Sequence, residues 1–270
     1  MSLYAAILLG LIQGLTEFLP ISSSGHLAVA QHFVPGFSQP GLLFDIVLHL
    51  GTLLAVLIYF RREVALLVRS LAPGDGGTVW RRPWVMLILG TIPAAIVGLA
   101  NKYIGGGLLE RSFEQLWVVG LGLIITGTLL LSSRKLSREG RDLAQLDVRD
   151  ALTVGLFQSA ALVPGISRSG STIVGGLMRG LSHDAAARFS FLLSIPAILG
   201  AAAYDLPRVS FLEAGAVAGY VAGFATAFVV GYICIGVVLR LLAIRRFHIL
   251  GYYCLTAGGA VLVYVTFTLS

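Results

Sequence analysis

The polar residues of this chain are gathered into short segments that separate long apolar runs. Six of these runs are uninterrupted, and each is close to the ~20 mainly apolar residues that a helix needs to cross a bilayer. They cover residues 42–60, 84–100, 113–132, 186–204, 213–239 and 249–269. The pattern therefore predicts six transmembrane helices.

Two further apolar stretches, residues 3–34 and 151–181, are interrupted at their centres. The interruptions read Leu19-Pro-Ile-Ser-Ser-Ser-Gly25 and Val163-Pro-Gly-Ile-Ser-Arg-Ser-Gly170. Backbone that is not helical at membrane depth is tolerated only where protein buries it or where it lines a wet cavity. We expect both stretches to be re-entrant helix–loop–helix hairpins.

The two halves of the chain resemble each other at a constant offset of 145 residues. Ile21-Ser-x-Ser-Gly25 recurs as Ile166-Ser-x-Ser-Gly170. Each half, about 1–132 and 151–270, holds one hairpin and three spans. Three is an odd number, so the halves must have inverted topologies within one integral membrane domain. Such repeats place the functional site near the midplane, where the broken helices meet.

Composition excludes the soluble classes of protein. Of 270 residues, 57% are apolar and 12% are charged, and the mean hydropathy is +0.89, whereas soluble domains are about 25% charged. Cys234 and Cys254 lie far apart and belong to no Cys/His cluster, so neither a zinc site nor a disulfide framework is predicted. The fold class is an all-α polytopic membrane protein.

The basic residues predict the orientation. The net charge is +6, and 15 of the 19 Lys and Arg residues lie in the segments 61–83, 133–150, 179–188 and 240–248. Cytoplasmic loops carry the excess of Lys and Arg, so these segments are predicted to be cytoplasmic and both termini external. The same excess needs no nucleic-acid partner to explain it.

Three ionisable residues, Glu17, His26 and Arg168, lie on or beside the two interruptions. Charges at membrane depth usually face a cavity or pair with each other. The hydroxyl residues beside them are Ser22, Ser23, Ser24, Ser167, Ser169, Ser171 and Thr172. Hydroxyls, backbone amides freed by glycines such as Gly165, and helix N-termini bind anionic oxygens, and the guanidinium fork suits phosphate. The pattern predicts a phosphate site inside the membrane. Pairing of Arg168 with Glu17 for structure alone is the alternative.

Gln13 lies one helical turn before Glu17 and so shares its helix face. The Glu17 carboxylate on that face either holds a divalent cation or orients His26. Asp45 and His49 are also four residues apart. They either face the same cavity or form a satisfied pair near the external end of their helix.

Ser23 and His26 are three residues apart, a spacing at which the imidazole can reach the hydroxyl. We expect Ser23 to be the nucleophile and His26 its base. In the competing scheme His26 attacks directly or activates a water, and Ser23 only donates a hydrogen bond to the phosphate. The repeat favours Ser23, because it aligns Ser23 with Arg168.

Two segments resemble the signature motifs of the bacterial undecaprenyl-diphosphatase family, the bacitracin-resistance family: Gln13-Gly-Leu-Thr-Glu-Phe-Leu-Pro-Ile-Ser-Ser-Ser-Gly-His26 and Pro164-Gly-Ile-Ser-Arg-Ser-Gly-Ser-Thr172. The family accepts Glu or Gln at the leading position, here Gln13. The resemblance implies hydrolysis of undecaprenyl diphosphate to undecaprenyl phosphate at the external face of the bacterial plasma membrane, and hence carrier recycling for the cell wall and bacitracin resistance.

The same resemblance implies a divalent cation, Mg²⁺ or Ca²⁺, and makes an isoprenyl diphosphate lipid the ligand. The rival class is a transporter or flippase for a lipid phosphate or small anion, because inverted repeats with broken helices are a transporter architecture. The sequence leaves open whether the chain forms a homodimer.

Overall fold

The computed structural model describes residues 2–34, 43–70, 78–113, 115–136, 140–205 and 217–269. These residues are helical and contain no strand; one isolated bridge joins Arg141 to Leu181. The α-helices in this part of the chain are α1 (Leu3–Phe18), α2 (Ser23–Phe33), α3 (Leu43–Tyr59), α4 (Arg61–Arg69), α5 (Thr78–Tyr103), α6 (Leu108–Ser112), α7 (Leu116–Ser132), α8 (Val148–Ala160), α9 (Arg168–Met178), α10 (His183–Asp205), α11 (Val217–Ala243) and α12 (Leu250–Leu269).

The apolar helices agree with the predicted spans. Five are long and apolar enough to cross a membrane: Pro83–Tyr103, Leu116–Lys135, His183–Tyr204, Val217–Ala243 and Phe247–Thr268. Leu43–Tyr59 adds a sixth when it is taken together with Arg61–Arg69. The polytopic all-helical class is therefore confirmed. Residues 42, 114 and 213–216 of the predicted spans, and the basic Arg138 and Arg208, lie outside the described residues.

A sharp bend follows α3, and the sequence pattern did not predict it. The axes of α3 and α4 differ by 82° at the junction near Phe60. Helix α4 opens with Arg61, Arg62 and Glu63, and charged groups cannot continue into the hydrocarbon phase without a large cost. The chain therefore turns where its apolar run ends.

Both interrupted stretches form a pair of short helices with a break between them. Helix α1 ends at Phe18 and α2 begins at Ser23; α8 ends at Ala160 and α9 begins at Arg168. Pro20 and Pro164 in the breaks lack an N–H and cannot continue a helix. The Ser22 hydroxyl accepts the N–H of Gly25 (3.3 Å), and the Ser167 hydroxyl accepts the N–H of Gly170 (3.1 Å). These N-caps start α2 and α9 at positions 145 residues apart.

Glycines bring the helices into close contact. A Cβ added at Gly10 of α1 would lie 2.6 Å from the carbonyl oxygen of Gly223 in α11, and one at Gly155 of α8 would lie 2.6 Å from that of Gly90 in α5. Small residues allow such approaches between helices in a membrane. Helix α1 thus packs against the second half of the chain and α8 against the first.

The contacts also give relative helix directions. Gly223 packs against Phe44 and Gly231 against Ala55, so α3 and α11 run in the same direction. Gly120 and Gly127 of α7 meet Gly258 and Gly251 of α12, respectively, so these two helices are antiparallel.

Candidate active site

The Glu17 carboxylate joins the two broken helices. It lies in the last turn of α1, and its side chain is only 6% exposed. Its Oε1 accepts a hydrogen bond from Arg168 Nη2 (2.5 Å), and its Oε2 accepts one from the Ser23 hydroxyl (2.6 Å) and one from Gln13 Nε2 (3.1 Å). One buried anion therefore ties α1 to the first residues of α2 and α9.

Ser23 and Arg168 occupy equivalent positions in the two halves. Each is the first residue of its helix, and each is partly exposed while its neighbours Ser22, Ser167 and Ser169 are buried. Helix N-termini carry unsatisfied N–H groups and partial positive charge. Two such ends and a guanidinium beside one hydroxyl form a surface suited to an anionic group.

The neighbouring hydroxyls hold the N-termini in place. Besides capping their helices, Ser22 lies 3.3 Å from the Ser24 hydroxyl and Ser167 lies 3.3 Å from the Ser169 hydroxyl. Ser22 has φ +71°, a left-handed conformation that is uncommon for a residue with a side chain. Backbone held in such a region is typical of functional sites.

The predicted contact between His26 and Ser23 is wrong. Nδ1 of His26 bonds to the carbonyl oxygen of Ser22 (2.7 Å) and therefore carries a hydrogen, since a carbonyl only accepts. Nε2 then accepts from the Tyr253 hydroxyl (2.7 Å), and the two rings stack 5.7 Å apart. The bond to the carbonyl four residues back turns the imidazole away from the Ser23 hydroxyl, which donates to Glu17 instead.

Tyr253 belongs to α12, 227 residues beyond His26, and sequence reasoning missed it. It stands in an apolar run next to another tyrosine, Tyr252. No spacing rule marks one of the two as a partner of the break. Only the packing of α12 beside α2 distinguishes them.

His49 faces the same site as Glu17, which is one of the two arrangements that the sequence left open for Asp45 and His49. Its Nε2 lies 3.8 Å from Glu17 Oε2, and its Nδ1 donates to the carbonyl oxygen of Asp45 (2.7 Å). The Asp45 carboxylate accepts from Gln31 Nε2 (2.9 Å) and so connects α3 to α2. His49 is thus a neighbour of Glu17, whereas Asp45 supports the second helix.

Gly165 and Thr172 face other helices. Gly165 has φ +88°, and a Cβ there would lie 2.2 Å from the carbonyl oxygen of Val119 in α7. Its own carbonyl accepts from the Thr126 hydroxyl (2.9 Å). The Thr172 hydroxyl lies 2.6 Å from that of Ser190 in α10, and it and Ser171 are buried. In this structure they pack the second break against its neighbours.

The sequence matches the model of the family described as Bacitracin resistance protein BacA over residues 6–260. The chain belongs to this family. Similar proteins include undecaprenyl-diphosphatases of Syntrophotalea carbinolica (45% identical; 96% of this chain and 97% of that protein covered) and Alkaliphilus metalliredigens (39%; 98% and 99%). That of Carboxydothermus hydrogenoformans is 41% identical, with 97% of each chain covered.

Two buried polar atoms at the centre of this BacA-family site have no hydrogen-bond partner: Arg168 Nη1 and Gln13 Oε1. The first is a cationic donor and suits an anion. The second is an acceptor beside the Glu17 carboxylate and suits a cation. No group of three His, Cys, Asp or Glu that could bind a metal occurs among the described residues. The pair Glu17 and Gln13 Oε1 fits a hard cation whose other ligands come from substrate and water, as Mg²⁺ commonly has.

Proposed function

We propose that this chain hydrolyses undecaprenyl diphosphate to undecaprenyl phosphate and inorganic phosphate. The activity recycles the lipid carrier for cell-wall synthesis, and bacitracin resistance follows from the family description. One observation carries the chemical part of the proposal: a nucleophile-type hydroxyl, Ser23, and an arginine, Arg168, meet on one buried carboxylate at two helix N-termini. Membership of the family supplies the substrate.

The terminal phosphate of the substrate binds between the N-termini of α2 and α9. Arg168 offers Nη1, which has no protein partner, and Nη2, which it shares with Glu17. A positioned guanidinium and oriented N–H groups stabilise the charge that develops on transferring phosphoryl oxygens. The partly exposed Ser23, Ser24 and His26 stand at the entrance to this region.

In the first step the Ser23 oxygen attacks the terminal phosphorus. The hydroxyl proton passes to Glu17 Oε2, 2.6 Å away, the bridging P–O bond breaks, and undecaprenyl phosphate leaves. In the second step the Tyr253 hydroxyl moves away from His26 Nε2, and a water attacks the phosphoserine and gives its proton to this nitrogen. The serine oxygen then leaves phosphorus and takes its proton back from Glu17. The imidazolium of His26 later releases its proton to solvent. The change from the sequence prediction is that Glu17, rather than His26, serves as base for Ser23.

Glu17 and Gln13 Oε1 are the proposed ligands for a divalent cation, Mg²⁺ or Ca²⁺. When bound, the cation would neutralise negative charge on the diphosphate. We expect Gln13→Ala to raise the cation concentration for half-maximal activity. Gln158→Ala is the matched control, since Gln158 is the repeat-related buried glutamine and donates to Gly90 instead. Equal behaviour of the two variants would contradict the assignment.

The proposed topology is an inverted repeat in which α1–α2 enters from outside and α8–α9 from the cytoplasm. Matched N-caps at Ser22 and Ser167 and the matched contacts of Gly10 and Gly155 with the opposite halves support it. The parallel α3 and α11 and the antiparallel α7 and α12 agree with this order of spans, and the basic segments are the reason for placing both termini outside. The plasma membrane is the proposed location.

Phosphate release by the detergent-purified chain tests this function. Farnesyl and undecaprenyl diphosphate are supplied with Mg²⁺, Ca²⁺ or chelator, and free phosphate is measured. Release by the wild-type chain that is lost in Arg168→Ala supports the proposal. No release with either lipid under any cation would contradict it and favour the transporter alternative.

A further inference from the structure

A cleft of about 220 Å³ lies between α2, α7 and α12, and neither the catalytic chemistry nor the motifs account for it. It is lined by Val29, Phe33, Leu116, Ala260, Val261 and Tyr264. Apart from the Tyr264 hydroxyl, these side chains are apolar. Neither α2 nor α12 contains Asp, Glu, Lys or Arg.

Ring contacts join α2 and α12 at two levels along the cleft's axis. At one level His26 stacks on Tyr253, and at the other Phe33 meets Tyr264 with ring centroids 5.0 Å apart. The order of these contacts makes α2 and α12 parallel. On α2 the cleft begins at Val29, one helical turn beyond His26, and runs along the helix away from Ser23.

We propose that this cleft binds the first isoprene units of the substrate's prenyl chain. The inference rests on the proposed function, because a lipid diphosphate held at Ser23 must direct its tail somewhere. From Ser23 to Phe33 a helix rises about 15 Å, enough for a few isoprene units.

The chemistry of the cleft favours a hydrocarbon chain over a headgroup. The cleft is lined by carbon atoms, and α2 and α12 contain no charged Asp, Glu, Lys or Arg that could bind a phosphate or an amine. Burial of apolar surface in it stabilises a prenyl chain. The occupant is the substrate's chain, because Val29, the first cleft residue on α2, lies one helical turn beyond His26, the residue placed in the second catalytic step. In the proposed topology both helices lead to the external leaflet.

Cleft-filling variants test the inference through chain-length dependence. We expect Ala260→Trp and Val261→Trp to raise KM for farnesyl diphosphate about tenfold, since displacing roughly two buried methylenes has that effect. Isopentenyl diphosphate, which has one isoprene unit, should keep its kcat/KM within about twofold. Val263→Trp, an exposed site on α12 outside the cleft, is the control and should leave both substrates unchanged. Equal losses for both substrates, an unchanged KM for farnesyl diphosphate, or an equal effect of Val263→Trp would overturn the proposal.

Photolabelling separates this inference from the proposed function, because it needs no turnover. The intact purified chain is irradiated with a farnesyl diphosphate that carries a diazirine on its first isoprene units. The inference is supported if the probe labels α2 or α12, if excess unmodified farnesyl diphosphate suppresses this labelling, and if Ala260→Trp reduces it. This result counts even when no phosphate is released. Labelling of other helices would overturn the inference. So would a diazirine phosphatidylglycerol that labels α2 and α12 as strongly as the farnesyl probe and is not displaced by excess farnesyl diphosphate.

Discussion

The Ser23 hydroxyl and the Arg168 guanidinium bind opposite oxygens of the Glu17 carboxylate, 2.6 and 2.5 Å away. They are the first residues of α2 and α9 and lie 145 positions apart in the chain. Glu17 therefore holds a hydroxyl and a permanent cation at a fixed separation before any substrate enters. Such preorganisation needs little rearrangement during phosphoryl transfer.

Arg168→Ala is predicted to lower kcat/KM by at least about 100-fold, because a positioned cation on the transferring phosphoryl group contributes that much. Arg168→Lys should restore little, since a point charge replaces a bidentate fork. Steady-state kinetics on farnesyl diphosphate measure this. Arg188→Ala, which removes a guanidinium paired with Glu63 and Asp184, is the control and should retain activity. Full activity of Arg168→Ala at saturating substrate would make Arg168 purely structural.

Tyr253→Phe is predicted to reduce kcat about fivefold and to shift the pH–rate profile, since one lost hydrogen bond is worth about 1 kcal/mol. The hydroxyl donates to His26 Nε2 and so favours the neutral imidazole, while the stacked ring is retained in phenylalanine. Tyr252→Phe removes the adjacent hydroxyl and should match wild type in both respects. Identical pH profiles for wild type and Tyr253→Phe would show that the hydroxyl does not act on His26.

Gly165→Ala is predicted to destabilise the fold. The added methyl would meet the Val119 carbonyl oxygen at 2.2 Å, and φ +88° is strained for alanine, which alone costs about 1–3 kcal/mol. Thermal unfolding in detergent should show a lower Tm. Gly98→Ala, in α5 with no atom within 4 Å of the added Cβ, should leave Tm unchanged. An unaltered Tm with a raised KM in Gly165→Ala would instead support the direct substrate contact that the sequence suggests.

Asp150 at the start of α8 gives a pH-dependent stability prediction. Burial disfavours its charged form, but bonds from Arg141 (2.8 Å), the Asp147 N–H and Arg179 (3.0 Å) outweigh burial, so the pKa of Asp150 is lowered. A lowered pKa contributes stability that is complete above the ordinary carboxyl pKa of about 4 and is lost as pH falls through the folded-state value.

We therefore expect Asp150→Asn to lower Tm by about 5 °C, as loss of buried charge-assisted bonds does. The deficit should be constant from about pH 8 to 5 and shrink below about pH 4. Asp184→Asn removes an exposed partner of Arg188 and should have little effect. A deficit that disappears as pH rises from 5 to 8 would contradict the assignment.

The sequence predicts the helices and breaks well because these depend on local signals. Apolar run length and the Pro20 and Pro164 interruptions define the spans, and the Ser–x–Ser–Gly repeat predicts where α2 and α9 start. For Arg168 the sequence supports two interpretations, a phosphate ligand or a structural partner of Glu17. The structure shows the pair with Glu17 and places the Ser23 hydroxyl on the same carboxylate.

The rest depends on side-chain direction and distant packing. The i−4 bond of His26 to Ser22 turns the imidazole toward α12, and a spacing of three residues contains no information on that choice. The Tyr253 partner and the cleft beside it arise only when α12 packs against α2. The bend after Tyr59 arises because the charged Arg61 cannot continue into the apolar phase of the membrane.

Trapping of the covalent intermediate tests the central claim most directly. The wild-type chain is mixed with ³²P-labelled farnesyl diphosphate and rapidly quenched, with parallel acidic and neutral denaturing quenches so that acid-labile phosphohistidine survives in one of them. Mass spectrometry then maps the phosphorylated residue. We predict phosphoserine at Ser23, absent in Ser23→Ala and unaffected in Ser24→Ala, with turnover of Ser23→Ala far below one-tenth of wild type. Acid-labile phosphate on His26, or a Ser23→Ala variant that keeps more than about a tenth of wild-type turnover, would contradict the account.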